Sequence, residues 1–402
     1  MSVLPDWLER RRERIARAWD LRDEVVLIGA GESIPIAGYG DQVYPYRPHA
    51  EYLYLTDRVR PGCVLAFDPG EGWVDFVPEV TEDERVWMGA GENEGTPRSG
   101  LEAWLEARRD RPVAVLGVPV ADGDDNLTTR LRKRLSHARR PKDEVELGRM
   151  RAAAAATAAG YEGLEIRAGR TEREIQIDLE AAFFRAGGDR TAYDTIVAGG
   201  PNSAVLHFSP THRPVGEGEM VLIDAGAECD GYACDVSRTY PAGERFTAEQ
   251  TDLYAIVLAA QQRAINACRA GVEYRDIHIG AATDMAGGLA DMGLLKGSAE
   301  SLVESEAIAL FFPHGIGHMV GLGVRDASGH LPGRKRHENA LLRFLRVDLP
   351  LEPDYVLTIE PGLYFIPALL NDPARRERHR DTVDWARVDR MLDFGGIRIE
   401  DN

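Results

Sequence analysis

Cysteine and long apolar runs are scarce in this sequence. The four cysteines (Cys63, Cys229, Cys234 and Cys268) form no C-x-x-C pair, which argues against a zinc ribbon or a redox dithiol. Cys229 and Cys234 flank a predicted turn, and we interpret them as buried free thiols. No window is apolar enough to predict a membrane-spanning helix, and the mixed charges of residues 7–13 do not fit a signal peptide. We therefore expect a cytoplasmic protein with no membrane partner.

Positive charge is also in short supply. The chain has 48 lysines and arginines against 66 aspartates and glutamates, which gives a formal net charge of -18. Such a protein repels phosphate backbones and anionic lipid headgroups, so nucleic acid is not an expected partner either. We interpret the basic stretches at residues 130–140 and 375–380 as solvated faces or ion-pair partners.

The 402 residues are enough for two or three domains with ample cores. Residues 1–140 predict a smaller N-terminal α/β domain that begins with a helix over residues 1–20. Glycine and proline turns separate several short apolar runs in this part, which predict strands. These runs cover residues 25–28, 52–55, 63–67, 73–77 and 113–116.

Residues 141–402 predict a second domain, of the α+β class. Proline and charged residues at 141–144 predict the start of a long helix. Two later helices begin with capping boxes, formed by Thr171 with Glu174 and by Thr247 with Gln250. Strands are expected at residues 194–197, 220–240, 356–364 and 396–400.

The most informative stretch is a predicted hairpin between residues 220 and 241. Asp230 and Gly231 are typical of a two-residue turn. Such a turn fixes the register of the strands, so that the numbers of two opposite residues add up to 461. Asp224 and Asp235 are then diagonal neighbours on one face. Because the apolar run 220–223 leads into Asp224, the two carboxylates would lose hydration and repel each other unless a proton or a cation lay between them. The alternative is a solvated face, but this pattern favours a metal or catalytic pair.

Further polar residues follow apolar runs later in the chain. His314 and His318 are four residues apart, but the glutamate of the helical zinc motif would fall at Gly315, so that motif is not predicted. Glu360 and Glu400 each end an apolar run. Four carboxylates with one histidine suit two divalent ions better than one, with Mn²⁺ favoured and Co²⁺ or Zn²⁺ as alternatives.

Five motifs together carry a family resemblance. They are LIDAGAE (222–228), DVSRTYP (235–241), FFPHGIGH (311–318), LTIEPGLYF (357–365) and GGIRIEDN (395–402). The second domain thereby resembles the pita-bread metallopeptidases, in particular the Xaa-Pro dipeptidase (prolidase) and aminopeptidase P branch. Residues 44–48 and 52–56 resemble the N-terminal domain of the same proteins. The resemblance implies an α+β fold with a C-terminal pita-bread catalytic domain of the creatinase and prolidase type.

The resemblance also implies a ligand set. Asp235 and Glu400 would bridge two ions, Asp224 would bind the first ion, and His318 and Glu360 would bind the second. The implied reaction is hydrolysis of the X–Pro bond by a hydroxide shared between the ions. Glu360 would carry a proton from that water to the leaving nitrogen.

Other positions match substrate and orienting residues of the family. His207 and His314 match histidines on the substrate side, and we expect them, with Glu360 and Arg398, to be catalytic. Tyr193 and Arg398 match positions that orient metal ligands, and Tyr193 is also counted among the substrate-binding residues. Strand alternation gives Arg398 a different role. It places Arg398 and Glu400 on one face of a strand, which predicts an ion pair between them.

Two arginines bear on substrate choice. Arg325 stands where the family has a histidine, and because it is permanently charged we expect an altered substrate preference or a lower rate. Arg346 lies fourteen residues before Glu360, like the prolidase arginine that binds a dipeptide carboxylate. We therefore expect a dipeptidase that acts on X-Pro dipeptides or short peptides. The family resemblance also implies a homodimer. The alternatives are an Xaa-Pro aminopeptidase for longer peptides and a catalytically weak binding scaffold.

Overall fold

The computed structural model describes residues 4–37, 42–91, 94–331 and 333–402. The chain divides into two compact units, Met1–Arg139 and Arg140–Asn402, and each mixes helices with strands, so the α+β class is confirmed. In the ranges just given, no helix is both long enough and apolar enough to cross a membrane. Residues 1–3 of the predicted first helix lie outside the described residues.

A five-stranded sheet forms the centre of the N-terminal unit, with the order β4-β3-β2-β1-β5. Its strands are β1 (Val25–Gly29), β2 (Val64–Asp68), β3 (Gly72–Val77), β4 (Thr96–Pro97) and β5 (Val113–Gly117). The helices are α1 (Asp6–Trp19), α2 (Ala50–Thr56), α3 (Glu82–Met88), α4 (Leu101–Glu106) and α5 (Asp125–Ala138), with a 3-10 turn at Arg98–Gly100. Every residue of β1 and β2 is buried, and both strands are apolar except for Asp68 at the end of β2, whose carboxylate pairs with Arg108 and Arg111.

One predicted strand of this unit is wrong, because residues 52–55 lie in helix α2. The ring Nδ1 of His49 caps this helix by accepting a hydrogen bond from the Glu51 amide at 3.2 Å. The helix buries Tyr52, Tyr54 and Leu55. A four-residue apolar run fits a buried helix as well as a buried strand, so its pattern alone could not separate the two.

The C-terminal unit has eight α-helices and ten short strands in the described residues. The helices are α6 (Glu144–Glu162), α7 (Glu172–Arg185), α8 (Ala248–Ala267), α9 (Tyr274–Asp291), α10 (Ala299–Glu304), α11 (Pro367–Leu370), α12 (Pro373–Arg378) and α13 (Trp385–Val388), with 3-10 turns at Gly200–Ala204, Ala307–Leu310 and Asp389–Met391. The strands are β6 (Arg190–Thr191), β7 (Ile196–Gly199), β8 (Met220–Ala225), β9 (Ala227–Cys229), β10 (Tyr232–Ala233), β11 (Val236–Pro241), β12 (Gly329–His330), β13 (Val347–Asp348), β14 (Gly362–Tyr364) and β15 (Gly396–Arg398). Both predicted capping boxes are present, at the starts of α7 and α8.

The hairpin of β8 to β11 has the predicted register. Asp224 lies opposite Ser237, and Cys229 lies opposite Tyr232, so opposite positions add up to 461. Asp230 and Gly231 have φ angles of 49° and 81°, which are the left-handed values of the two-residue turn expected for an Asp-Gly pair. The sheets around the hairpin have the orders β11-β8-β7 and β10-β9-β6. All four cysteines are free, as predicted for Cys229 and for its neighbour across the turn.

After the hairpin, helices and irregular segments share one hydrophobic core. Helices α8 and α9 pack on each other, and their Leu253, Val257 and Met285 share a core with Phe311 and Phe312. The predicted strand at 356–364 is mostly single bridges, from Leu357 to Met319 and from Ile359 to Asp401. Only its end forms a regular strand, β14, which pairs antiparallel with β15.

Candidate metal centre

A cavity of about 660 Å³ lies in the C-terminal unit beside the end of β8. It contains all five predicted metal ligands. These are Asp224, Asp235, His318, Glu360 and Glu400. Asp235, His318 and Glu400 are buried, although carboxylates are rarely buried without a partner. Segments far apart in the sequence therefore converge at one polar end of the cavity.

Three of these residues form a tight group. Ligand atoms of Asp235, His318 and Glu400 all lie within 4.8 Å of one another. The His318 Nε2 atom is 3.3 Å from Asp235 Oδ2 and 3.8 Å from Glu360 Oε1. His318 Nδ1 lies 3.1 Å from the Met319 carbonyl oxygen, so it carries the proton and donates to that oxygen. The free lone pair of Nε2 then points at carboxylates, an arrangement that requires either a proton or a cation between them.

The hydroxyl of Tyr193 links the two aspartates of the hairpin. It is 2.7 Å from Asp224 Oδ1 and 2.5 Å from Asp235 Oδ1. A hydroxyl has a single hydrogen, so it cannot donate to both carboxylates at once. The hydroxyl can therefore serve only one of the two carboxylates, so the other needs a cation or a proton of its own, which Arg398 supplies for Asp224.

The charge balance of the centre points the same way. Burial raises the pKa of Glu360 to about 7, and it also raises the pKa values of Asp224 and Glu400. For Glu400, the charges of Asp235 and Glu360 add to the effect of burial. Within the described residues one arginine, Arg398, forms ion pairs with this set. Four carboxylates beside one guanidinium and one imidazole match the oxygen-rich donor set that hard divalent cations prefer.

Arg398 pairs more closely with Asp224 than with Glu400. Its Nη2 atom is 2.5 Å from Asp224 Oδ2, whereas its Nε atom is 4.0 Å from Glu400 Oε2. Ser237 lies between the latter two groups, because its hydroxyl accepts from Arg398 Nε at 2.9 Å and donates to Glu400 Oε2 at 2.7 Å. The ion pair that alternation predicted between Arg398 and Glu400 is thus mediated by a side chain that sequence reasoning missed.

A second missed residue, Tyr364, connects Arg398 with His314. The Tyr364 hydroxyl accepts from Arg398 Nη1 at 2.9 Å and lies 3.0 Å from His314 Nε2. His314 Nδ1 lies 2.9 Å from the Gly315 carbonyl oxygen. Burial lowers the pKa of His314 to about 3, so the ring is neutral. With Nδ1 donating and Nε2 accepting, both ring nitrogens of His314 are already engaged.

The backbone holds His318 and Glu360 side by side. The Thr358 amide donates to the His318 carbonyl at 2.8 Å, and the Glu360 amide donates to the Ile316 carbonyl at 2.8 Å. A Cβ atom at Gly317 would lie 2.2 Å from the Thr358 carbonyl oxygen, so only glycine allows this approach.

The buried His278 of α9 completes the support of this segment. Its Nδ1 accepts from the Ile316 amide at 3.2 Å, and its Nε2 lies 3.0 Å from the Leu341 carbonyl oxygen. Sequence reasoning missed His278, because its partners are backbone groups that no motif marks.

The remaining predicted site residues line the same cavity. They are Tyr193, His207, His314, Arg325, Arg346 and Arg398. Three of them are exposed, namely His207, Arg325 and Arg346, whereas the group of Asp235, His318 and Glu400 is buried. Partial loss of water around its ring, and then the charge of Arg325, lower the pKa of His207, so its imidazole is neutral near pH 7.

Comparison with protein families adds to this geometry. The profile of metallopeptidase family M24 matches residues 148–402. The profile of the aminopeptidase P N-terminal domain matches residues 8–101. The first match contains every residue of the cavity described above.

Two curated relatives illustrate the similarity over the whole chain. A protein of Fusarium vanettenii, described as a probable Xaa-Pro aminopeptidase, is 31% identical over 394 residues, covering 90% of this chain and 82% of the relative. A similarly described protein of Botryotinia fuckeliana is 30% identical over 386 residues. The match covers 90% of this chain and 83% of the relative.

Solved structures share the fold of both units. Aminopeptidase PepP of Pseudomonas aeruginosa has a TM-score of 0.79 at 25% identity, over 100% of this chain and 92% of that chain. Proline aminopeptidase P II of Yersinia pestis also has a TM-score of 0.79, at 27% identity, over 98% of this chain and 92% of that chain. Aminopeptidase P of E. coli, in a structure with the inhibitor Pro-Leu, has a TM-score of 0.79 at 25% identity. The match covers 100% of this chain and 92% of that chain.

Proposed function

The chain belongs to metallopeptidase family M24, and from that premise we propose that it is an Xaa-Pro aminopeptidase, which removes the residue before proline from the amino end of peptides. One observation carries the proposal: four carboxylates and one histidine converge at the buried end of a cavity large enough for a short peptide. The pita-bread fold implied by the sequence is that of the structural neighbours. A binding scaffold without catalysis is disfavoured, because such a protein has no need to keep this costly cluster of carboxylates.

Aminopeptidase activity is favoured over the dipeptidase activity that we expected from the sequence. The relatives reported above are described as Xaa-Pro aminopeptidases, and the E. coli structure holds the inhibitor Pro-Leu, in which a residue follows proline. The dipeptidase expectation depended on Arg346. This residue lines the cavity, but its position there is compatible with longer peptides as well as with dipeptides. Cleavage restricted to dipeptides is therefore the second candidate.

The five converging residues would hold two divalent metal ions, with Mn²⁺ as our preferred ion and Co²⁺ or Zn²⁺ as alternatives. When bound, such ions lower the pKa of a coordinated water molecule and polarise a peptide carbonyl. Tyr193 and Ser237 would keep the carboxylates in fixed orientations. Arg398 would remain charged and hold Asp224 through its hydrogen bond.

Glu360 has the properties of a proton carrier. Its carboxylate lines the cavity beside His318, so it would face both the bound ions and the peptide. The nitrogen that leaves an X–Pro bond is a secondary amine, which must receive a proton before it departs. Glu360 would accept the proton of the attacking water and donate it to that nitrogen.

His207 and His314 would act on the substrate side in different ways. The neutral ring of the exposed His207 can donate a hydrogen bond to a substrate carbonyl in the cavity. The engaged nitrogens of His314 make it a support for Tyr364, and its ring edge forms part of the cavity wall. A homodimer stays a prediction from the family resemblance.

Hydrolysis of matched peptides tests this proposal. The metal-stripped protein, reloaded with Mn²⁺, should release alanine from Ala-Pro-Ala but not from Ala-Ala-Ala, and metal analysis should find two ions per chain. Glu360→Gln should lower turnover by about 10²–10⁴-fold, the usual contribution of a general acid–base group. Release of alanine from Ala-Pro but not from Ala-Pro-Ala would establish the dipeptidase candidate instead. A metal-loaded protein that cleaves neither peptide would contradict both.

A further inference from the structure

The loop that carries His207 forms part of the wall of the substrate cavity. This His207 loop, residues 200–210, joins the end of β7 to residue 211. Four of its residues line the cavity, namely Leu206, His207, Phe208 and Ser209. The loop begins with the 3-10 turn Gly200–Ala204, whereas residues 205–210 lie in neither a helix nor a strand. Regular structure alone therefore does not fix the position of His207.

The imidazole of His207 is placed by its backbone. Among the described residues, neither ring nitrogen has a hydrogen-bond or ion-pair partner. An exposed ring of this kind lies where the chain that carries it puts it. Whatever holds the two ends of the His207 loop therefore also decides where His207 can meet a substrate.

Both ends of the His207 loop bind one buried carboxylate, that of Glu172. This residue is the first of α7 and is 0% exposed. At the start of the loop, its Oε1 atom accepts from the Gly199 amide at 3.0 Å and from Asn202 Nδ2 at 2.7 Å. At the end of the loop, its Oε2 atom accepts from the Thr211 amide at 3.1 Å and from the Thr211 hydroxyl at 2.7 Å. One side chain thus ties the start of the loop to its end.

The first turn of α7 also pairs directly with the end of the loop. The Arg173 amide donates to the Thr211 carbonyl at 2.9 Å, and Arg173 Nη2 donates to the Pro210 carbonyl at 2.8 Å. The helix itself is anchored in the core through Ile175, Leu179 and Phe183. Glu172 therefore holds the loop from a rigid element, as precise placement of a substrate-contacting group requires.

The surroundings of Glu172 suit a carboxylate and not an amide. A carboxylate only accepts hydrogen bonds, and here four donors meet its two oxygens. Burial of such a group is costly unless its donors stay in place. A glutamine would put an NH₂ group opposite a backbone N–H, that of Gly199 or that of Thr211. The Asn202 amide and the Thr211 hydroxyl can turn to accept a hydrogen bond, but a backbone N–H cannot.

We propose that Glu172 is a positioning residue, which holds both ends of the His207 loop and thereby sets the place at which His207 contacts the peptide. The inference rests on the proposed function, in which His207 donates a hydrogen bond to a substrate carbonyl. Glu172 is fully buried and is not among the residues that line the described cavity. Its effect on a substrate must therefore pass through the loop.

A double-variant cycle tests whether Glu172 acts through His207, with whichever of Ala-Pro-Ala and Ala-Pro the wild type cleaves. Glu172→Gln should lower kcat/KM of the Mn²⁺-loaded protein by about 10-fold or more, because a small misplacement of a substrate-contacting group is costly. In the His207→Ala background, the same change should alter kcat/KM by less than about 2-fold, since the group that it misplaces is gone.

Glu174→Gln is the matched control for this cycle. It makes the same chemical change in the same turn of α7, where the exposed Glu174 caps the helix through Thr171. A glutamine can keep that cap, because its remaining oxygen still accepts from the Thr171 amide. The control should leave kcat/KM unchanged in both backgrounds.

A milder pair of variants carries the same test if Glu172→Gln does not fold. Thr211→Val removes one of the four donors to Glu172, whereas Thr211→Ser keeps the hydroxyl. The valine variant should lower kcat/KM in the presence of His207 but not in the His207→Ala background. The serine variant should resemble the wild type.

The result that overturns the inference differs from the one that overturns the proposed function. An equal fall of kcat/KM in both backgrounds, or no fall at all, would overturn the inference and leave the peptidase intact. If the wild type cleaves no peptide, the proposed function fails, but NMR of histidine-labelled protein still tests the positioning role. The ring signal that is lost in His207→Ala should move in Glu172→Gln and stay in place in Glu174→Gln. A signal that stays in place in both variants would overturn the inference.

Discussion

The hydroxyl of Ser237 donates a hydrogen bond of 2.7 Å to Glu400 Oε2, and these residues are only 0% and 2% exposed. The same hydroxyl oxygen accepts from Arg398 Nε, so it separates a positive group from a carboxylate of the metal centre. Ser237 thereby fixes the orientation of Glu400, which a buried carboxylate needs in order to bind a metal ion.

Substitution of Ser237 by alanine should weaken metal binding. The loss of an orienting hydrogen bond of this kind typically lowers metal affinity by about 10–100-fold. Competition with a chelator of known affinity measures this change directly. Ser237→Thr is the control, because it keeps the hydroxyl and suits a strand position. Equal affinity of the wild-type and alanine proteins would show that Glu400 needs no such support.

Removal of the Tyr364 hydroxyl should destabilise the protein. In Tyr364→Phe, Arg398 Nη1 and His314 Nε2 both lose a buried partner, which costs on the order of 1–3 kcal/mol for each unsatisfied group. Urea unfolding of the metal-free protein measures the loss. Tyr254→Phe is a matched control, because the ring of Tyr254 packs on Phe246 while its hydroxyl has no hydrogen bond among the described residues. Equal losses in the two variants would contradict the prediction.

The buried pair of Lys142 and Asp326 should be sensitive to the loss of one partner. Both side chains are almost fully buried, at 0% and 3% exposure. Lys142→Met leaves the Asp326 carboxylate without this cation and should lower the free energy of unfolding by about 3–5 kcal/mol. Because an apolar pair can replace a buried ion pair, Lys142→Met combined with Asp326→Leu should recover much of that loss. If the single variant unfolds at the wild-type urea concentration, the pair contributes little.

The pKa of Glu360 predicts how the metal-free protein responds to pH. Burial raises this pKa from 4.5 to about 7, so between these values the folded state holds a proton that the unfolded chain releases. This contribution to stability is fully present below about pH 4.5 and is lost as the pH rises through about 7. We therefore expect the Tm of the metal-free wild type, relative to that of Glu360→Gln, to fall over this window.

Added divalent ions should remove that fall, because a cation replaces the proton as the neutralising charge. Thermal unfolding at several pH values, with and without Mn²⁺, makes the comparison. A constant Tm difference between the wild type and Glu360→Gln across the window would show that Glu360 titrates normally in the folded protein.

The hairpin shows how far local sequence signals reach. Asp230 and Gly231 accept left-handed backbone angles, and the turn they form fixes every pair of opposite residues from 220 to 241. The nearness of Asp224 and Asp235 could therefore be predicted. The same register places Ser237 opposite Asp224, so its position beside the centre was also within reach of the sequence.

Contacts between distant segments could not be predicted in the same way. Tyr364 meets Arg398 only because β14 pairs with β15, and no turn between them sets that register. His278 meets Ile316 only because helix α9 packs against the segment that carries it. Helix α2 was missed for a related reason. Its short apolar run fits a buried helix or a buried strand, and the packing around Tyr52 decides between them.

The contact of Ser237 with Glu400 joins positions that are 163 residues apart in the chain. During synthesis the hairpin that carries Asp224 and Asp235 therefore leaves the ribosome long before Glu400 has been translated. The complete set of five predicted ligands can therefore assemble only after Glu400 has left the ribosome, so we expect the full metal centre to form late in folding.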